Sequence, residues 1–268
     1  MIGDTAKDAA RSARANPVLQ LLARVGFAVN GLLHLLIGFI AIGVATGGGG
    51  EADQSGALSH LAAAPLGILI LWTVTAGLAA LGLWVVLGAF LFRSADSKKR
   101  ITHFVKEFGK GVAYLAVAAT AFTFARGGSR SSSGDTTSFS ADLLSNPGGV
   151  LALVLVAALV FGIGAYFVFA GATHKFTGDI SVPSGAAGKV TVFLGVFGYI
   201  AKGIALMVVG VLFGAAAFTA DAAKATGLDG ALQSLSDLPQ GTIVLSVIGV
   251  GLIAYGVYGF ARARYARL

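Results

Sequence analysis

Three stretches of the chain pass through the same landmarks in the same order, and a chain built by repetition folds as a set of like units. A glycine inside a long apolar run, at Gly31, Gly111 and Gly203, is followed by Pro65, Pro147 and Pro239 at intervals of 34, 36 and 36 residues. The residue before each glycine is polar: Asn30, Lys110 and Lys202. Ahead of the proline, the first and third copies read Gly-Ala-Leu-x-x-Leu-x-x-x-Pro-x-Gly, as Gly56 to Gly67 and Gly230 to Gly241. The second copy keeps Leu143, Pro147 and Gly149 but has Ser138 for the first glycine. Further on, Gly82, Gly164 and Gly256 correspond, and two residues later Trp84, Tyr166 and Tyr258.

What separates these landmarks is apolar. The chain is 56% hydrophobic and 12% charged, against about a quarter charged in a soluble domain. The excess gathers into six blocks, at 27–46, 68–92, 109–126, 149–172, 191–218 and 241–261. Each is near or above the ~20 residues that cross a bilayer as a helix. The expected fold is therefore an all-α polytopic membrane protein. Its six transmembrane helices form three parallel two-helix repeats (22–93, 102–173 and 192–262) with short extracytoplasmic helices, between a segment 1–21 and a tail 263–268. All copies run the same way, unlike the inverted repeats of many transporters. The proline is expected in the first turn of the returning helix, where its missing N–H does no harm. Glycine and alanine in the spans let backbones approach.

Charge orients the chain. Sixteen of the nineteen Lys and Arg fall before the first apolar block, in the loops 93–110 and 174–202, and after residue 261. The opposite side holds Arg126, Arg130 and Lys224 with seven acids: Glu51, Asp53, Asp135, Asp142, Asp221, Asp229 and Asp237. The positive-inside rule then expects both termini in the cytoplasm and the protein in a bacterial cytoplasmic membrane. The net charge of +7 needs no nucleic-acid partner to explain it. Residues 1–16 alternate small and charged residues and fit either a surface helix on anionic headgroups or a solvated tail, which Pro17 stops or redirects. The first span is expected to be retained, since cleavage near Ala45 would remove one helix of a repeat. With no cysteine, disulfides, thiolate metal sites and a cysteine nucleophile are excluded.

These residues carry a resemblance. With Lys-Gly steps at Lys110-Gly111 and Lys202-Gly203, Asn30-Gly31 in the corresponding place, and the motif before each proline, residues 22–262 resemble the domain of unknown function 1206 family of actinobacterial membrane proteins. The resemblance implies three tandem two-helix units with a Lys/Arg-Gly step in each first helix. It implies no activity, because the family has none assigned. Asn30 departs from the basic pattern.

The candidate site is the layer formed by Asn30, Lys110 and Lys202, joined one turn on by His34 and Tyr114, with Leu206 in the third copy. If the odd-numbered spans face a common centre, this layer holds an anion, a lipid headgroup or a quinone carbonyl. The competing expectation is that each lysine snorkels to anionic lipid at the membrane surface. Glu107 is expected to neutralise a lysine three residues away. His34, His60, His103 and His174 make no His-x-x-x-His or Glu-x-x-His pair, so no metal is expected, and His34 reads as a satisfied core residue. Gly47 to Gly50 lack the Lys-Ser/Thr of a phosphate loop, and no Gly-x-Ser-x-Gly elbow occurs. The expectation is a membrane protein without enzyme activity or cofactor, in contact with anionic lipid headgroups and with a membrane-protein partner or a second copy. An accessory or scaffold role comes first, and a small-solute, ion or lipid pathway lined by the odd-numbered spans is the alternative.

Overall fold

The computed structural model describes residues 16–91 and 96–267. The surface helix entertained for 1–16, with Lys7, Arg11 and Arg14, lies outside the described residues apart from Asn16, as does Arg93. Among the described residues nine α-helices follow in order: α1 Pro17–Ala45, α2 Gln54–Ala63, α3 Gly67–Leu91, α4 Ser97–Ala125, α5 Ser132–Leu144, α6 Gly149–Ala172, α7 Gly185–Thr219, α8 Gly227–Ser236 and α9 Gly241–Tyr265. Short 3-10 turns occupy Lys175–Asp179 and Ala222–Lys224. Six helices among the described residues (α1, α3, α4, α6, α7 and α9) are long and apolar enough to cross a membrane. Each copy is thus a spanning helix, a short helix and a returning spanning helix.

Helix limits correct several expectations. Pro17 is the first residue of α1, with the Asn16 side chain accepting from the Val18 N–H at 2.8 Å, and the segment it is expected to stop or redirect lies outside the described residues. Proline is well placed at a first helical position, where its φ is already helical and no donor is lost. Basic stretches read as loops are largely helical: α4 begins at Ser97, N-capped by Asp96, and α7 begins at Gly185. Apolar periodicity stops at the membrane boundary, but a helix need not.

The repeat proline does not sit in the returning helix. Pro65, Pro147 and Pro239 lie two residues before the first helical residue, in a turn. The next residue is left-handed in every copy: Leu66 at φ 62°, Gly148 at φ 81° and Gln240 at φ 63°. The glycine after it is required by contact. A Cβ on Gly67, Gly149 or Gly241 would overlap the carbonyl oxygen of Leu61, Leu143 or Leu235, the second leucine of the same motif. The motif is a tight reversal between a short helix and a span.

The chain divides into two compact units. The first, Met1–Asn30, Leu61–Gly128 and Gly259–Leu268, holds α3, α4, the first half of α1 and the end of α9. Its core is Ala23, Phe27, Leu81, Trp84 and Ala266, with Tyr114 packed against it. Gly82 and Gly111 press α3 onto α4, where a Cβ on either would come within 3.0 Å of the other's carbonyl oxygen. The Arg24 guanidinium donates to the carbonyls of Ala263 and Arg264 at 2.9 and 2.6 Å, satisfying the end of α9. Arg262 lies 4.4 Å over the Phe27 ring. Two residues assigned only to charge bias therefore hold the first unit together.

The second unit, Gly31–His60 and Ser129–Tyr258, holds α5 to α8 and most of α9, together with the second half of α1. A Cβ on Gly164 or Gly203 would meet the other's carbonyl oxygen at 2.6 Å, so α6 and α7 touch backbone to backbone. One on Gly256 would meet the Gly31 carbonyl oxygen at 2.7 Å, which joins α9 to α1. The three step glycines thus all meet the matched glycine of a returning helix, and that helix always belongs to another copy.

Because Gly203 has no room for a methyl, Gly203→Ala is expected to cost about 1–3 kcal/mol by overpacking and to lower the Tm in detergent. A methyl on Gly162 meets nothing within 4 Å, so Gly162→Ala is expected to leave Tm unchanged or higher. Equal Tm values for the two variants would remove the backbone-contact argument.

Candidate functional site

The five residues expected to form a polar layer divide between the units. Asn30, Lys110 and Tyr114 belong to the first, His34 and Lys202 to the second. In the first unit Lys110 Nζ donates to Glu107 Oε1 at 2.9 Å, the pair being 31% and 22% exposed. A pair this accessible adds about 0–1 kcal/mol; its effect is to neutralise a charge near the end of a span. Asn30 and Tyr114 are half-buried.

The second unit brings its two residues into contact. Lys202, half-buried on α7, places Nζ 3.0 Å from Nε2 of His34, which is 7% exposed on α1. An ammonium has donors only. A charged Lys202 therefore donates to Nε2, and the histidine carries its own proton on Nδ1. Aromatic rings complete the surround: Nζ is 4.3 Å from the Tyr255 centroid and 5.2 Å from Phe167. The faces of such rings attract cations, more strongly where water is excluded. The imidazole packs on Tyr255 at 4.7 Å.

The rings continue away from the lysine. Tyr199 lies 5.4 Å from Tyr255 and 5.3 Å from Phe167, and Phe176 stacks on Tyr199 at 4.9 Å. Phe176 arrives from the 3-10 turn between α6 and α7, is 2% exposed, and fills the volume that a side chain on Gly195 would occupy. The buried Tyr258 closes the group, 5.3 Å from Phe176. Sequence comparison of the copies hid this box. The residues matched to Tyr258 have other fates: Trp84 is buried in the first unit's core, and Tyr166 is 40% exposed.

A second polar cluster, not foreseen, lies where the starts of α2, α5 and α8 meet within the second unit. Ser55, Thr137 and Asp229 each stand ten residues before their copy's proline, and each reaches a different copy. Ser55 Oγ accepts from the Ser132 N–H at 3.0 Å, Thr137 Oγ1 donates to the Ala225 carbonyl at 3.3 Å, and Asp229 Oδ1 accepts from the Ala52 N–H at 2.7 Å. Two further bonds reinforce them: Ser131 Oγ donates to Glu51 Oε1 at 3.2 Å, and Ser133 Oγ to the Thr226 carbonyl at 2.8 Å. Each short helix, or the residues leading into it, is therefore bonded to both of the others. Serine, threonine and aspartate share the task, which is why no residue pattern announced it.

Asp53 sits inside this junction at 1% exposure. Its Oδ1 accepts from the Gly56 N–H at 3.0 Å, the arrangement of a helix N-cap. Its Oδ2 is buried and finds no partner among the described residues. Burial raises the carboxyl pKa from 3.8 to about 6, opposed by the Gly56 bond and assisted by the charges of Glu51 and Asp229.

The comparisons with known proteins agree with the triplication. The model of the family described as Domain of Unknown Function (DUF1206) matches residues 25–91, 105–174 and 197–266. The uncharacterised protein YxxB of Bacillus subtilis (strain 168) is 29% identical over 256 residues, covering 94% of this chain and 93% of the relative. No solved structure matches the chain. The chain belongs to the DUF1206 family.

The His34–Lys202 contact is tested by a double-mutant cycle on Tm in detergent, using His34→Phe, Lys202→Met and the pair. Neighbours bonded this way are expected to couple by about 0.5–3 kcal/mol, so the double variant falls short of the sum of the single losses. Simple additivity would separate the two residues.

Proposed function

We propose that this DUF1206 protein is a non-enzymatic accessory or scaffold protein of a bacterial cytoplasmic membrane, with both termini cytoplasmic, that holds anionic lipid headgroups at the end carrying the termini. One observation carries the reading: exposed Lys98, Lys99, Arg100 and Lys106 at the start of α4 stand among exposed Ile101, Val105 and Phe108. Apolar side chains beside solvent-facing cations fit the boundary between acyl chains and headgroups, where each basic residue near an anionic surface adds about 1 kcal/mol. Lys110 and Lys202 support a structural role for the spans, since one is paired with Glu107 and the other with His34 and two rings. The positive-inside rule supports the orientation. A membrane-protein partner or a second copy of the chain is part of the same reading.

The His34–Lys202 contact favours a second reading, a pathway for a small solute, ion or lipid along α1, α4 and α7. Two nitrogens joined by one hydrogen bond of 3.0 Å fit a relay as well as a brace.

Native mass spectrometry on protein gently extracted from its own membrane tests the first reading. Anionic phospholipid is expected to stay bound, and Lys98→Gln/Lys99→Gln/Arg100→Gln to weaken its retention by about 100-fold, from roughly 1 kcal/mol per charge. Unchanged retention would end the headgroup assignment, and recovery of no partner or second copy would end the scaffold one. Flux in liposomes that disappears in Lys110→Ala/Lys202→Ala would move the function to the second reading.

A further inference from the structure

The repeat itself provides the control for Asp53. The residue twelve before the proline is Asp53 in the first copy, Asp135 in the second and Gly227 in the third. Asp135 is about half exposed and paired with Arg130. Gly227 carries no carboxyl, and a Cβ there would lie 3.2 Å from Thr136 Oγ1. These residues stand just before α2, in the first turn of α5 and at the start of α8, and only in the first copy is the matched residue a buried acid. Capping explains Oδ1, as the acceptor from Gly56, but not why Oδ2 is buried without a partner.

The charged groups around it are of the wrong sign to hold an anion. Glu51 lies on the same segment, with its Oε1 accepting from Ser131, and Asp229 comes from α8, with its oxygens accepting from Ala52 and Gln233. From α5 comes Asp135, already closed on Arg130, and beside α8 lies Lys224, 4.0 Å from Asp221 and exposed. Among the described residues no group of three or more His, Asp or Glu is placed to hold a metal ion. The ligand that fits one buried carboxyl oxygen beside two carboxylates is a proton.

We propose that Asp53 is a proton-binding residue that locks the junction of α2, α5 and α8, closing it when protonated and loosening it when ionised. A neutral carboxyl removes a buried negative charge from the neighbourhood of Glu51 and Asp229. An ionised one leaves that charge without a cation, so the cross-copy bonds open more readily. The folded junction binds this proton up to about pH 6, against 3.8 for the free carboxyl. Closure is thus favoured fully below the lower value and loses that advantage as the pH rises through the upper one.

The test is backbone hydrogen exchange at the first turns of α2, α5 and α8, with the full chain in lipid nanodiscs and rates corrected for intrinsic pH dependence. Opening is expected to increase about tenfold from pH 5 to 7.5 by proton linkage. Asp53→Asn, which keeps the cap and cannot ionise, is expected to show no such change. An unchanged pH step in Asp53→Asn, or a flat wild type, would overturn the proposal. If Asp53→Asn does not fold, Glu51→Gln decides. Removing a neighbouring negative charge is expected to shift the step to lower pH, together with the infrared band of the protonated carboxyl. A step and band that stay in place would also overturn it.

Discussion

Helices in lipid gain nothing by hiding apolar surface from one another, because the surrounding tails are equally apolar. Close backbone approach is the attraction left to them, and here it is concentrated at the step glycines. Gly203 against Gly164 and Gly111 against Gly82 bring main chains together where any side chain would hold them apart. Gly256 approaches Gly31 in the same way. In all three cases the partner glycine comes from the returning helix of another copy. The repeat is therefore a unit of sequence more than of packing: a copy finds the complement of its first span outside itself.

The step also shows how equivalent positions diverge once packing is secured. The residue before the glycine is half-buried Asn30 in one copy, Lys110 paired with Glu107 in the next, and Lys202 against His34 and aromatic rings in the third. A helix that must present glycine on one face leaves its neighbour free to vary, and each copy has found a different way to satisfy a polar group beside hydrocarbon.

Much of the architecture was legible. Six apolar blocks and three sets of landmarks lead directly to the spans and the short helices, because both bilayer thickness and repetition leave a one-dimensional trace. Helix starts were less legible, since the first turns of α4 and α7 carry no apolar stripe. Nor could the sequence tell which glycine meets which, because the matched glycines are the same residue in every copy. At the site, Lys110 with Glu107 followed from helical spacing, whereas His34 with Lys202 joins residues 168 apart. The aromatic box depends on Phe176 entering from a connecting turn. The junction at the other end uses Ser55, Thr137 and Asp229 for one purpose, so the equivalence shows only in space.

The pairing of α1 with α9 bears on how the protein is made. Spans enter the membrane in the order of their synthesis, and α3 with α4, or α6 with α7, can associate as soon as the later helix is inserted. The first half of α1 likewise meets α3 early, through Gly26 against Gly77, but the stretch around Gly31 has no such neighbour in time. The glycine face of α1 around Gly31 must stand open to lipid until Gly256 of α9 has been made, and Arg24 waits slightly longer for the carbonyls of Ala263 and Arg264. The packing of α1 is therefore complete only once α9 is in place, and a chain cut short before that helix leaves the face around Gly31 uncovered.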